Sequence, residues 1–242
     1  MRILSIVACA ICVLCNPVST AAQDRVRVGF DGAQQTTTTN FSAATTFTEF
    51  IEQGRITTRE RVAKAPIFDG DVSVRVWKGL AIGVAVSYYS KNSAGNVEAQ
   101  IPHPFLFDRA RLVSGSAAAL KRTEMGGHIL FAWIIPGDRL ELAISGGPSI
   151  FQVNQDLVSR VTYLHTYPYD VAQFAGVITE RLKDRAIGFH AGAGVTWRLA
   201  RHVGVGGTLR YSRGTLDATA GDDSLSFDVG GLHAGGGLRL MF

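Results

Sequence analysis

The feature that most constrains this chain is a strict two-residue alternation of apolar and small side chains. Leu80, Ile82, Val84, Val86 and Tyr88 alternate with Ala81, Gly83, Ala85, Ser87 and Tyr89. Successive side chains of an extended strand point to opposite faces, so a period of two marks a strand with two unlike faces. Helical periodicity is nearly absent. Ahead of this run, Val72, Val74 and Val76 alternate with Ser73, Arg75 and Trp77, and Lys78-Gly79 joins the two as a tight hairpin.

The same unit recurs twice. Residues 125–133 lead through Pro136-Gly137-Asp138 into Leu140, Leu142 and Ile144. Residues 186–199 turn at Ala200-Arg201-His202 into Val203, Val205, Leu209 and Tyr211. An opening run (Val26, Val28, Phe30) and a closing run over about 226–242 bring the expected number to eight strands. The connections alternate in length. Tight turns near 78, 137 and 200 are expected to be separated by long polar loops at about 37–66, 91–120, 153–184 and 214–225. This asymmetry is that of an up-and-down membrane barrel with its short turns periplasmic. An even strand number then puts both termini on that side. Residues 37–66 also admit a further hairpin, Thr45–Glu52 with Arg55–Lys64. This gives ten strands as the alternative, or an extension of the wall above the membrane.

The N-terminus fits export. Arg2, the apolar run Ile3–Leu14, Pro17 and the small residues Ser19 to Ala22 form a signal peptide with cleavage after Ala22. All three cysteines, Cys9, Cys12 and Cys15, lie inside it, so residues 23–242, expected as one barrel domain, hold no thiol. The full chain carries a formal net charge of +4 with no Lys/Arg run, which argues against nucleic acid as a partner.

A soluble barrel is also built of alternating strands, but its outward face meets water and carries charge. Here the less apolar face reads Ala81, Gly83, Ala85, Ser87, Gly188, Gly192, Gly194, Gly204, Gly206 and Thr208. Those residues suit a crowded interior, so the apolar face is the lipid-facing one. The fold class is therefore all-β, an eight-stranded antiparallel up-and-down transmembrane β-barrel. Trp77, Trp133 and Trp197 lie near the short turns, where an interfacial girdle belongs, although Trp77 has lumen parity. Tyr88, Tyr89 and Tyr211 suggest a second girdle.

With its signal peptide, eight-strand layout and the ending Gly237-Leu238-Arg239-Leu240-Met241-Phe242, the chain resembles the small bacterial outer-membrane barrels of the OmpA and OmpW types and the related outer membrane protein beta-barrel domain family. The resemblance implies that Leu238, Leu240 and Phe242 form a signal read by the barrel-assembly machinery. It also implies a place in the outer membrane among its lipids and lipopolysaccharide. The alternative role is a carrier or narrow channel for small molecules, and an OmpW-type likeness extends these to hydrophobic ones.

Lumen parity gathers Arg27, Arg75, Glu141, Arg198 and Arg239 near the periplasmic end. Buried charges are costly unless paired, so these are expected to form one polar network around Glu141 that occludes a lumen already narrow in an eight-stranded barrel. His190 and His233 share lumen parity as polar filling. The stretch Ile101–Phe107 is either an exposed contact surface or a loop anchor. The histidines show no metal-ligand spacing and no catalytic arrangement is visible, so the reading is a monomeric barrel with no catalytic, metal or cofactor site. Its expected role is structural or one of surface interaction.

Overall fold

A computed structural model describes residues 25–36, 39–62, 64–220 and 223–242. The expected signal peptide lies outside them. The described residues form ten strands: β1 (Val26–Gln35), β2 (Thr39–Glu49), β3 (Glu52–Val62), β4 (Ala65–Trp77), β5 (Leu80–Ile101), β6 (Arg111–Ile135), β7 (Leu140–His165), β8 (Ala172–Arg198), β9 (Val203–Ala220) and β10 (Asp223–Met241).

Eight of these close a ring in the order β1-β4-β5-β6-β7-β8-β9-β10, with β10 returning to β1. All the neighbours are antiparallel. The hairpin β2–β3 stands outside the ring. It continues the wall above β4 by pairing Arg55–Glu60 with Gly95–Gln100 at the far end of β5. Closure leaves the ring without an edge, a requirement for strands crossing hydrocarbon. The last rung is made by Phe242, whose N–H donates to the Val26 carbonyl at 2.8 Å while the Val26 N–H donates to the Phe242 carbonyl at 2.9 Å.

The segments expected as long polar loops are for the most part strand. The 27-residue β8 runs about 90 Å at ~3.3 Å per residue. Even tilted by about 45° it outreaches the ~30 Å hydrocarbon core twofold. Strand order persists because the alternation persists with its faces exchanged. On β5 the outward residues are Leu80, Ile82, Val84, Val86 and Tyr88, then Asn92, Asn96, Glu98 and Gln100. The inward residues are Ala81, Gly83, Ala85 and Ser87, then Val97, Ala99 and Ile101. Above Tyr88 the wall is built like a soluble barrel, polar outside and apolar inside. Its core there packs Ile56, Val97, Ile101, Val113, Leu120 and Val158.

Two aromatic expectations are corrected. A β-bulge between Arg75 and Trp77 shifts the register, so Trp77 leaves lumen parity and is exposed like Trp133 and Trp197. Conversely Tyr89 is buried in the wall interior beside Ala65 and Ile67, while Tyr88 and Tyr211 face outward.

Candidate functional site

The lumen is the first candidate, because strand alternation aims a stack of polar side chains into it. At the short-turn end Glu141, 1% exposed, accepts hydrogen bonds from both Arg27 and Arg198. Arg75 lines a small cavity with Glu141, Arg25 and Arg27, but its buried Nε finds no hydrogen-bond partner among the described residues. Arg239 does not join Glu141. It donates from Nη1 and Nη2 to the two carboxylate oxygens of Asp31, each at 2.6 Å, and from Nη2 to Thr208 Oγ1 at 2.7 Å. The expected single network is thus divided, because the β1–β10 register sets Asp31 beside Arg239 while Glu141 sits on β7.

Deeper in, Arg210 donates to Asp69 at 3.2 Å. Beyond that pair a buried chain of hydrogen bonds links four strands, β5 to β8: Ser87 Oγ to His128 Nε2 at 3.1 Å, His128 Nδ1 to Ser149 Oγ at 2.8 Å, and Ser149 Oγ to His190 Nδ1 at 3.0 Å. His233 is buried at the same depth, across the β9–β10 register from Arg210. Arg122 and Glu124 form a further layer, at 2.6 Å. Above it Glu60 accepts from Ser93 and, at 3.0 Å, from Gln155 Nε2. Burial pushes the Glu60 carboxyl above its ordinary range, against the pull of the Ser93 hydrogen bond and the Arg122 charge.

Asp31, Asp69 and Asp71 are lumen anions of the membrane-spanning part that sequence reasoning missed, as it missed Glu124 and Glu60 above them. Their signal was parity: Asp31 alternates with Val28 and Phe30, and Asp69 and Asp71 share the inward face of β4 with Ser73. A cavity of about 80 Å³ lies among Arg27, Asp71, Arg210 and Arg239. That is room for a few waters, which need about 10–15 Å³ each on this measure.

The long-strand end is the second candidate. The 101–107 stretch is divided between its two expected roles. Ile101, Pro102 and His103 are buried, while Phe105 and Phe107 are 71% and 72% exposed. His103 Nδ1 accepts the backbone N–H groups of Phe105 at 3.2 Å and Leu106 at 3.1 Å. The buried Arg111 ties this loop to the next, donating to the carbonyls of Pro102 at 2.8 Å and Tyr169 at 3.2 Å, with Nη1 3.0 Å from His165 Nδ1. Phe105 packs on Tyr169, and Tyr167 stands edge-on to the same ring. The result is a fixed aromatic surface on loops anchored from below.

Between these ends the outward wall is hydrocarbon. Val76 and Trp77 on β4, Ile82 to Tyr88 on β5, and Met125 to Ile135 on β6 belong to an exposed apolar belt. It continues through Leu140 to Ile150, Ile187 to Trp197, Val203 to Tyr211, and Leu232 with Leu238. Roughly 10 residues of each strand share it, the length a tilted strand needs to cross hydrocarbon. An apolar belt around a polar, ion-paired lumen is the inverse of a soluble barrel. The protein is a membrane-spanning β-barrel.

Similar solved structures include Neisserial surface protein A (12% identity over 90% of this chain and 97% of that one, TM-score 0.41). The N-terminal barrel domain of Pseudomonas aeruginosa OprF is another (10% identity, 92% and 100%, TM-score 0.38). Ail of Yersinia pestis is a third (9% identity, 90% and 99%, TM-score 0.33). No protein-family model and no curated protein matches the chain.

Proposed function

We propose that the barrel is an occluded surface-interaction protein of the bacterial outer membrane, with short turns and termini periplasmic and the long-strand end outside. The observation that carries this reading is the division of labour along the axis. Ion pairs and hydrogen bonds fill the lumen from Glu141 to Glu60, whereas the exposed aromatics Phe105, Phe107 and Tyr167 are mounted on anchored loops at the opposite end. Apolar surface held in water at one end of a molecule favours contact with a partner. The carrier reading has less support, since ligand pockets usually measure about 300–1,000 Å³ and the lumen cavity is about 80 Å³. No enzymatic role is assigned.

Two measurements test the proposal. Refolded protein in planar bilayers should show no stepwise conductance; regular ion-conducting steps would favour a channel. Because the sequence holds no cysteine after Cys15, single Phe107→Cys and Pro136→Cys variants report orientation. A membrane-impermeant maleimide on intact cells should label the first and spare the second. The reverse pattern would invert the assignment.

A further inference from the structure

Just above the apolar belt, one flank of the barrel turns cationic within a few residues. The outward positions of β8 read Arg181, Lys183 and Arg185, all exposed, and then Ile187 and Phe189, at 80% and 53% exposure. Register places Arg185 beside Gln152, Lys183 beside Asn154 and Arg181 beside Asp156 on β7. On the far side of Asp156, Lys121 of β6 gives its backbone N–H to the same carboxylate at 3.3 Å. Four cations thus surround one acid. That acid is engaged already, by Arg181 at 2.8 and 3.4 Å.

Elsewhere above the belt, Arg213 is balanced by Asp228 at 2.9 Å and Arg59 by Glu98 at 3.1 Å. The side chains of Lys183 and Arg185 have no such acid among the described residues, and Lys121 has only the Asp156 that Arg181 already engages. Two residues along a strand are roughly 7 Å and two strands across roughly 10 Å. Arg185 therefore stands at headgroup height above lipid-facing Ile187, and the patch is wide enough to meet more than one phosphate.

We infer that Lys121, Lys183 and Arg185 form a docking site for the phosphates of an acylated, diphosphorylated glycolipid of the outer leaflet, with its chains lying on Met125, Ile150, Ile187 and Phe189. Basic side chains at a membrane surface attract anionic headgroups. Here they are continuous with the apolar surface that takes the chains. The inference rests on the orientation proposed above, which puts this flank in the outer leaflet.

The test uses the full-length barrel folded in detergent micelles, titrated with diphosphorylated lipid A, with its dephosphorylated form and with inorganic phosphate. The wild type should bind the diphosphorylated lipid in preference to the dephosphorylated one. At about fivefold per basic side chain, the triple variant Lys121→Ser/Lys183→Ser/Arg185→Ser should lose roughly a hundredfold. Arg55→Ser/Arg59→Ser/Arg61→Ser, with the same charge removed from β3, should keep its affinity. Equal losses in both triples, no loss in the first, or full competition by inorganic phosphate would each overturn the docking site. If the triple does not fold, Lys183→Glu alone should weaken binding, and unchanged binding overturns the site. Folding is read separately by faster gel migration before heating. Wild type that fails to fold in detergent would strike at the membrane reading, and Phe107→Cys labelled only from the periplasm would strike at the orientation.

Discussion

Arg239 grips Asp31 through two guanidinium nitrogens, each 2.6 Å from a carboxylate oxygen, across the seam where β10 meets β1. The clasp is possible because Gly237, paired with Asp31, carries no side chain. A Cβ there would come within 1.8 Å of the Phe30 carbonyl oxygen and 2.7 Å of Asp31 Oδ1. The two residues at 7% and 2% side-chain exposure are joined by Thr208, which donates to Asp31 at 2.9 Å. Bidentate pairing of this kind is the strongest form of ion pair and satisfies the lone pairs that burial leaves without water.

Asp31→Ala should therefore destabilise the folded barrel by about 3–5 kcal/mol, because it leaves the Arg239 charge buried and unpaired. The double variant Asp31→Ala/Arg239→Ala should lose less than the single one. Guanidinium unfolding in detergent, followed by the three tryptophans, measures both. A double variant no more stable than Asp31→Ala would deny the clasp.

Glu141 makes a second, separate test. It serves Arg27 and Arg198 together, so Glu141→Ala leaves two cations uncompensated and should again cost about 3–5 kcal/mol. A double-mutant cycle should show coupling between Glu141 and Arg198. It should show less between Glu141 and Arg239, which share no partner. Conductance should stay flat in Glu141→Ala, because the Asp31–Arg239 and Asp69–Arg210 layers still fill the lumen. Strong Glu141–Arg239 coupling would instead restore a single network.

These two layers show which parts of the molecule were legible in the sequence. Alternation reports the face of each residue, so the inward Arg27, Glu141, Arg198 and Arg239 were readable one strand at a time. Partners were not. Pairing Arg239 with Asp31 requires the register Gly29–Arg239, and register between the first and last strands leaves no local mark. Apart from the hairpin within residues 37–66, which the sequence offered as an extension of the wall, the upper wall was missed for another reason. The period of two continues through Val97, Ala99 and Ile101, but polarity exchanges faces near Tyr88, and a polar outward face reads as loop when apolar-out is assumed. Trp77 escaped because a one-residue bulge inverts parity without any residue signature.

Acid and base act in opposite senses above the membrane belt. The folded state raises the Glu60 carboxyl, so its contribution is fully present below the unfolded value and is lost as pH rises through the folded one. Asp156 is held below the usual carboxylate range by its hydrogen bond from Arg181. Its contribution is present above the unfolded value and lost as pH falls through the folded one. Unfolding midpoints compared between about pH 2 and pH 8 should show the wild type losing ground to Glu60→Gln as pH rises. For Asp156→Asn the wild type should lose its advantage only at the acid end. A Glu60→Gln difference that is constant with pH would place that carboxyl outside the folding equilibrium.

The last prediction separates the backbone of the closing rung from its side chain. Phe242 makes two backbone hydrogen bonds with Val26, at 2.8 and 2.9 Å. Its ring is 61% exposed on the outward side, stacked near-parallel on His202 with centroids 6.2 Å apart. Phe242→Ala keeps the rung and removes only a ring already largely free of protein contact. Stability in detergent should fall by at most about 1 kcal/mol, less than the ~3–5 kcal/mol that truncating a buried Phe costs. Assembly in cells draws on a different property. We propose that the aromatic ring at the membrane interface, with Leu240 and Leu238 above it, is the signal that the barrel-assembly machinery reads. Phe242→Ala should thus cut the amount of heat-modifiable barrel in the outer membrane severalfold while leaving refolding yield in vitro near that of the wild type. Equal losses in both settings would make the ring a packing element of the seam, and no loss in either would remove it from assembly altogether.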